Sequence, residues 1–164
     1  MPKQPRGSAK DRALLLLGVR WRSRRELERR LRAAGFEDDK TQAALADLEV
    51  VGLIEDRRFA RELVRDRANR KLAGNRAIRA ALRQQGVADD IAEEALEEAG
   101  DEEKRAHELA RRRAERLRGL QPEAAYRRLY GLLLRRGFGP GMARDACRAA
   151  LSELLAADVE PEPG

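Results

Sequence analysis

The chain holds one histidine, His107, and one cysteine, Cys147. A cysteine becomes a nucleophile when a base or positive charge lowers its pKa, and no histidine stands near Cys147 in sequence. Its neighbours Ala146 and Leu151 give it a core-like setting, so a buried thiol is expected. One histidine cannot build a histidine-based metal triad, and His107 lies among Arg and Glu, as a surface residue does. The run Glu93, Glu94, Glu97, Glu98, Asp101, Glu102 and Glu103 offers oxygens for a divalent cation. Such an ion needs them to converge on one point, whereas a helix splays them around a cylinder, so a solvated face is expected. Gly137-Phe138-Gly139-Pro140-Gly141 lacks the Gly-Lys-Ser/Thr ending and the preceding strand of a phosphate loop, and reads as a helix–helix turn. No catalytic residue, metal or cofactor is expected.

The chemistry that remains is arginine chemistry. The chain has 30 Arg against 5 Lys, and a net charge of +6. Stripes at helical spacing comprise Arg25, Arg29 and Arg32; Arg57, Arg61 and Arg65; and Arg76, Arg79 and Arg83. Arg111, Arg112, Arg113, Arg116 and Arg118 crowd one stretch, and Arg127 follows at the position equivalent to Arg25 and Arg76. A guanidinium is a fixed fork of donors, suited to phosphates and to protein carboxylates alike. Of these, Arg25, Arg29, Arg32, Arg57, Arg61, Arg65, Arg76, Arg79, Arg83, Arg111, Arg112, Arg116 and Arg127 are the candidate contacts with a polyanionic partner. Trp21, between Arg20 and Arg22, has a face that can stack on a base, but packing against its own helical unit is expected.

The elements that position these residues are helices. Proline is absent between Pro5 and Pro122, and Ala, Leu, Arg and Glu dominate. Aromatics make up 4%, which argues against a β-sandwich or barrel. Leu, Ile, Val and Phe total 35 of 164 residues, so the large apolar side chains must recur regularly if there is to be a core. Ser8, Ser23, Asp38, Asp56, Asn75, Asp89 and Asp101 are expected N-caps, with Ser23-Arg24-Arg25-Glu26 in capping-box form. Pro122 and Pro140 suit first helical positions. Gly35, Gly52, Gly74, Gly86, Gly100, Gly119 and Gly137 fall where helices should stop. Nine helices of roughly 10 to 17 residues result. Residues 1–7 and 157–164 are expected to be frayed or disordered. No apolar run is long enough to cross a membrane, Met1 to Lys10 has no apolar signal core, and one cysteine fits a reducing cytoplasm.

An internal repeat organises the helices. Gly35-Phe36, Gly86-Val87 and Gly137-Phe138 recur at one spacing. With each glycine as origin, aligned columns are Leu31, Leu82, Leu133; Leu27, Ile78, Leu129; Arg25, Arg76, Arg127; and Ala44, Ala95, Ala146. Three three-helix units are expected at 8–52, 53–100 and 101–156, stacked as a short curved array. Charge follows the period. Net charge is +8 over 1–36, −6 over 37–56, +8 over 57–87, −9 over 88–103, +8 over 104–136 and −3 over 137–164. Such bands either pair with one another or meet a polyanion at intervals, and the polyanion is favoured.

These residues resemble the bacterial regulatory protein RecX family. The resemblance rests on Ser23-Arg24-Arg25-Glu26-Leu27-Glu28-Arg29-Arg30-Leu31 with Gly35-Phe36, and on Gly52-Leu53-Ile54-Glu55-Asp56-Arg57-Arg58-Phe59-Ala60. Gly74-Asn75-Arg76-Ala77-Ile78-Arg79, with Leu82 and Gly86-Val87, and the closing Leu132-Leu133-Leu134-Arg135-Arg136-Gly137-Phe138 extend it over about 9–152. The family often has Pro where Asn75 stands, and Asp or Asn in place of Glu55. The resemblance implies an all-α protein of three tandem three-helix units. It implies a non-enzymatic partner of the RecA recombinase that seats on RecA–DNA filaments and restrains filament growth, strand exchange and ATP hydrolysis. RecA and DNA, single- or double-stranded and without sequence preference, are the expected partners, and a monomer in the cytoplasm is expected. The alternatives are a sequence-nonspecific DNA-binding helical module without a RecA-directed role, and a repeat scaffold for a peptide or protein.

Overall fold

The computed structural model describes residues 7–158, and its regular structure is helical throughout. The helices are α1 (Ala9–Leu17), α2 (Arg24–Ala33), α3 (Asp38–Val50), α4 (Asp56–Arg65), α5 (Asn75–Gln84), α6 (Asp89–Leu96), α7 (Glu102–Ala114), α8 (Pro122–Arg135) and α9 (Pro140–Asp158). A π-turn, Asp66–Arg70, prolongs α4, and single 3-10 turns, Glu97–Ala99 and Glu115–Leu117, prolong α6 and α7. Of the ends expected to fray, 1–6 and 159–164 lie outside the described residues. Ala157 and Asp158 still belong to α9, so the tail does not begin at 157.

Capping follows the expectation at some starts and misses by one residue at others. The Ser8 hydroxyl accepts from the Asp11 amide at 3.0 Å, and the Asp11 carboxylate accepts from the Ser8 amide at 3.1 Å, a complete capping box. Ser23 and Asp101 cap α2 and α7 through the amides of Glu26 and Lys104. Pro122 and Pro140 open α8 and α9. At α3, α4, α5 and α6 the carbonyls closing the first turn belong to Glu37, Glu55, Gly74 and Ala88. The expected caps Asp38, Asp56, Asn75 and Asp89 therefore stand one position inside their helices. A polar side chain in the first turn has lost the geometry that reaches its own helix amides, so Asp56 and Asn75 serve other segments. The expected box at Ser23 is only half formed, because the Glu26 carboxylate turns away to three arginines.

The glycine turns repeat in detail. Phe36, Val87 and Phe138 donate their amides to Leu31, Leu82 and Leu133 at 3.2, 3.1 and 3.1 Å. Gly35, Gly86 and Gly137 donate to Arg32, Arg83 and Leu134 at 2.9, 2.9 and 3.0 Å. These are three Schellman endings, each with a positive-φ glycine and an apolar residue folded onto the helix. The aligned columns are buried: Leu27, Ile78 and Leu129 are at most 1% exposed, and Leu31, Leu82 and Leu133 are fully inside, with Ala44, Ala95 and Ala146 behind them.

By contact, residues 7–63 with 81–95 form one compact unit, and 64–80 with 96–158 a second. In the first, Ala9, Ala13, Leu27, Leu31, Phe36, Ala44, Leu45, Leu48 and Ile54 make a core under α1–α3. There the Ser23 hydroxyl donates to the Gln85 carbonyl at 2.7 Å, and the Arg24 amide donates to Asp56 at 3.0 Å. The Trp21 ring lies under the Arg58 guanidinium, 4.1 Å from its carbon, so a residue of α4 covers the ring rather than its own helices alone. In the second unit, Leu72 joins Ala106, Leu109, Leu129, Leu133, Phe138, Cys147 and Leu154 in the core. Gly74 is not a left-handed helix stop: Leu72 takes the positive φ there, at 49°. Gly74 instead donates its amide to the Arg136 carbonyl at 2.8 Å, where a Cβ would overlap the Gly137 backbone. The Asn75 amide donates to Glu102 at 2.7 Å. Thus Ser23 and Gly74, at equivalent repeat positions, grip the carbonyls before Gly86 and Gly137, and an acid at the start of α4 or α7 accepts the amide of Arg24 or Asn75.

Candidate functional site

Two arginines are spent inside the fold. Arg105 is 6% exposed and donates to the carbonyls of Ala73, Ala99 and Gly100 at 3.1, 2.6 and 3.0 Å, and to the Asn75 side chain at 2.6 Å. Arg22, also 6% exposed, donates to Leu16 and to Glu26. Neither was distinguishable in sequence from the surface arginines around it.

Many of the expected contact arginines are paired within the chain. Arg57 pairs with Glu94, and Arg65 with Glu98 at 3.0 Å, so the acidic stretch after Asp89 serves as a counter-charge for α4. Arg61 approaches Glu55 at 3.9 Å, Arg83 approaches Asp89 at 3.8 Å, and Arg32 holds Glu28 and Asp38 at 2.8 and 2.7 Å. Arg111 and Arg112 both fork onto Glu108, at 2.7 and 2.6 Å. Their hydrogen bonds hold the Glu108 carboxyl below the usual carboxylate range. Arg76 donates to the Leu134 carbonyl at 3.2 Å. Arg79 is exposed and engaged with a neighbour. Arg25 packs its stem against Gly86, and Arg29 is exposed without a carboxylate partner among the described residues.

The second compact unit holds a different environment. Arg113, Arg116 and Leu117 from the end of α7 and its 3-10 turn face Arg127, Arg128, Leu129, Leu132 and Arg135 of α8. They line a groove of about 520 Å³. Arg128, Leu132 and Arg135 lie at helical spacing, and Gly131 leaves room for Arg135 to lie along α8, where a Cβ would stand 3.1 Å from its Nη1. None of these five arginines has a carboxylate partner among the described residues. Nearby, burial and then the charges of Arg113 and Arg67 hold the Arg136 guanidinium below its ordinary value. The groove unites the expected residues Arg116 and Arg127, does not include Arg111 or Arg112, and adds Arg113, Arg128 and Arg135. The signal for it is in the charge bands: the third basic band is followed by residues 137–164 at net −3, against −6 and −9 after the first two.

Other chemistry is structural. Cys147 is fully buried, and that burial pushes its thiol up to about 11, far from a nucleophile's range. His107 sits on α7 beside Glu103 at 3.9 Å. Among the described residues no acidic, cysteine and histidine groups cluster as a metal site, and no helix is long and apolar enough to cross a membrane.

Comparison with known proteins matches the repeat three times. Residues 9–48, 56–96 and 101–147 match the first, second and third three-helix domains of RecX. The chain is 39% identical to regulatory protein RecX of Corynebacterium efficiens over 93% of its own length and 76% of that protein. It is 40% identical to regulatory protein RecX of Mycolicibacterium smegmatis over 92% and 84%. The crystal structure of RecX from Lactobacillus salivarius superposes with a TM-score of 0.72 at 26% identity, covering 87% of this chain and 94% of that one. With three matched domains in order and such identity over nearly its whole length, the chain belongs to the RecX family of regulatory proteins.

Proposed function

We propose that this chain modulates the RecA recombinase without chemistry of its own, binding RecA–DNA filaments in the cytoplasm as a monomer and restraining filament growth, strand exchange and ATP hydrolysis. The observation that carries the reading is the three-domain family match, since the relatives bear the name regulatory protein RecX. The structure supports a docking role over a catalytic one: its thiol is buried, its histidine stands on a helix surface, and its outward chemistry is guanidinium. The groove arginines and Arg29, which have no carboxylate partner among the described residues, offer positive charge to an outside anion. Filament carboxylates and DNA phosphates are the groups they would meet, and docking there would hinder subunit addition or the motions of ATP turnover.

The test is a titration of the protein into RecA, ATP and single-stranded DNA, reading ATP hydrolysis, beside binding to naked DNA at rising salt. Contacts with phosphates alone, about six of them, lose roughly a thousandfold in affinity between 50 and 200 mM salt. A filament modulator lowers hydrolysis and keeps its preference for the filament over that range. Equal competition by naked DNA, or an unchanged rate of hydrolysis, would reject the proposal.

A further inference from the structure

The groove between α7 and α8 has a composition that discriminates between anions. Five guanidinium groups rim it; half-buried Leu117 and Leu132 form its apolar lining, with Leu129 buried behind them. Among the described residues no aromatic ring, side-chain amide or hydroxyl lines it. Single-stranded nucleic acid is held by a basic track together with aromatic platforms on which bases stack. The aromatics of α8 are not available for that: Tyr126 and Tyr130 stack on each other, 5.7 Å apart with planes 8° from parallel, and pack against the α7–α9 core. A phosphodiester gains nothing from leucines, whereas an apolar side chain gains by leaving water on them. A concavity of about 520 Å³ also suits a few side chains rather than the convex face of a duplex.

We infer that the α7–α8 groove captures an acidic peptide segment of a partner protein, with carboxylates on Arg113, Arg116, Arg127, Arg128 and Arg135 and an aliphatic anchor on the leucines. The inference rests on the filament reading for its biological setting alone. Recognition is by charge complementarity and a central apolar contact. The carboxylates supply counter-charges that these arginines lack among the described residues, and each guanidinium fork receives a carboxylate in bidentate fashion.

The test uses the whole chain and contains no RecA, so its failure is distinct from failure of the filament reading. The probe is a fluorescein-labelled dodecapeptide of Asp and Glu bearing two Leu one helical turn apart. Its companion carries Ser at both Leu positions, and a twelve-nucleotide oligo(dT) is the competitor. Fluorescence anisotropy is expected to show the Leu peptide binding about tenfold tighter than its companion, as burial of apolar side chains requires. The double variant R116E/R127E, at exposed positions without carboxylate partners among the described residues, is expected to bind the Leu peptide about tenfold or more weakly with unchanged helical circular dichroism. Equal affinity for the two peptides would show charge alone and overturn the inference. So would unchanged binding by the double variant, or displacement of the peptide by oligo(dT) at lower concentration than by unlabelled peptide, which would assign the groove to nucleic acid.

Discussion

Glu26 shows how a single carboxylate can be both buried and charged. It is 2% exposed, and its Oε1 accepts from Arg22 at 2.5 Å, Arg20 at 2.8 Å and Arg30 at 2.9 Å. Burial works against its charge, but the three arginines outweigh it and hold the carboxyl below the usual carboxylate range. Removing that charge strands Arg22, which is itself buried, so Glu26→Gln is expected to cost about 3 kcal/mol in urea unfolding near neutral pH. The sign with pH follows. A carboxyl whose folded pKa is depressed contributes fully above its unfolded value and loses that contribution as pH falls through the folded one. The gap between wild type and Glu26→Gln should therefore be constant above the ordinary glutamate value of 4.5 and close in more acidic buffer. A gap independent of pH would mean that packing, not charge, sets the cost. Thr41 is the opposite case. It is fully buried, and its hydroxyl has no hydrogen-bond partner, so Thr41→Val keeps the shape and removes an unsatisfied group. The midpoint of urea unfolding is expected to rise, for a gain of about 1 kcal/mol. Such assignments were not legible in sequence: Ser23-x-x-Glu26 looked like a capping box, and only the fold brings Arg20, Arg22 and Arg30 onto the glutamate.

At the scale of elements, glycines with different duties give different costs. Gly52 has φ of 73° with nothing within 4 Å of a built Cβ, so Gly52→Ala meets backbone strain alone, about 1 kcal/mol. Gly74 has an ordinary φ, but its Cβ would overlap the Gly137 carbonyl, so Gly74→Ala meets a clash alone. Gly137 combines φ of 93° with a Cβ that would overlap Ala77. Thermal unfolding should rank Gly137→Ala as the most damaging and Gly52→Ala as the mildest. Equal shifts for Gly52→Ala and Gly137→Ala, with none for Gly74→Ala, would mean that backbone conformation is the whole cost. The repeat made most of this readable, since a glycine followed by Phe or Val at a fixed stride marks a Schellman turn. Gly74 shows where reading stops. A glycine serves positive φ and close approach equally well, and here Leu72 takes the strained backbone while Gly74 admits the neighbouring chain. Helix starts were legible to one residue, because Asp and Asn suit both the cap and the first turn, and packing partners such as Arg24 and Arg105 decide between them.

Across the whole chain, the alternation of charge was legible and its use was not. The first two basic bands are followed by acid that can reach them: Arg24 meets Glu49 at 2.8 Å, and α4 spends Arg57 and Arg65 on Glu94 and Glu98. The third band has fewer acids after it, and among the described residues Arg127, Arg128 and Arg135 of α8 have no carboxylate partner. Sequence spacing ranked the stripe Arg57, Arg61 and Arg65 with the others, since periodicity reports which way a side chain points but not what stands opposite. The distinction matters for any partner. A paired arginine must give up its carboxylate before meeting a new anion, whereas an unpaired one relinquishes only water, and exposed pairs of this kind are worth about 0–1 kcal/mol each. The filament reading therefore makes a differential prediction. The triple variant R57A/R61A/R65A should keep most of its inhibition of RecA ATP hydrolysis, with only a small loss of thermal stability. R116A/R127A/R128A should keep its stability and lose inhibition by about tenfold or more in the protein concentration required. Both titrations use the same RecA filaments, and circular dichroism confirms the fold of each variant. If the α4 variant lost inhibition and the α8 variant retained it, pairing within the chain would not govern which arginines are free to act.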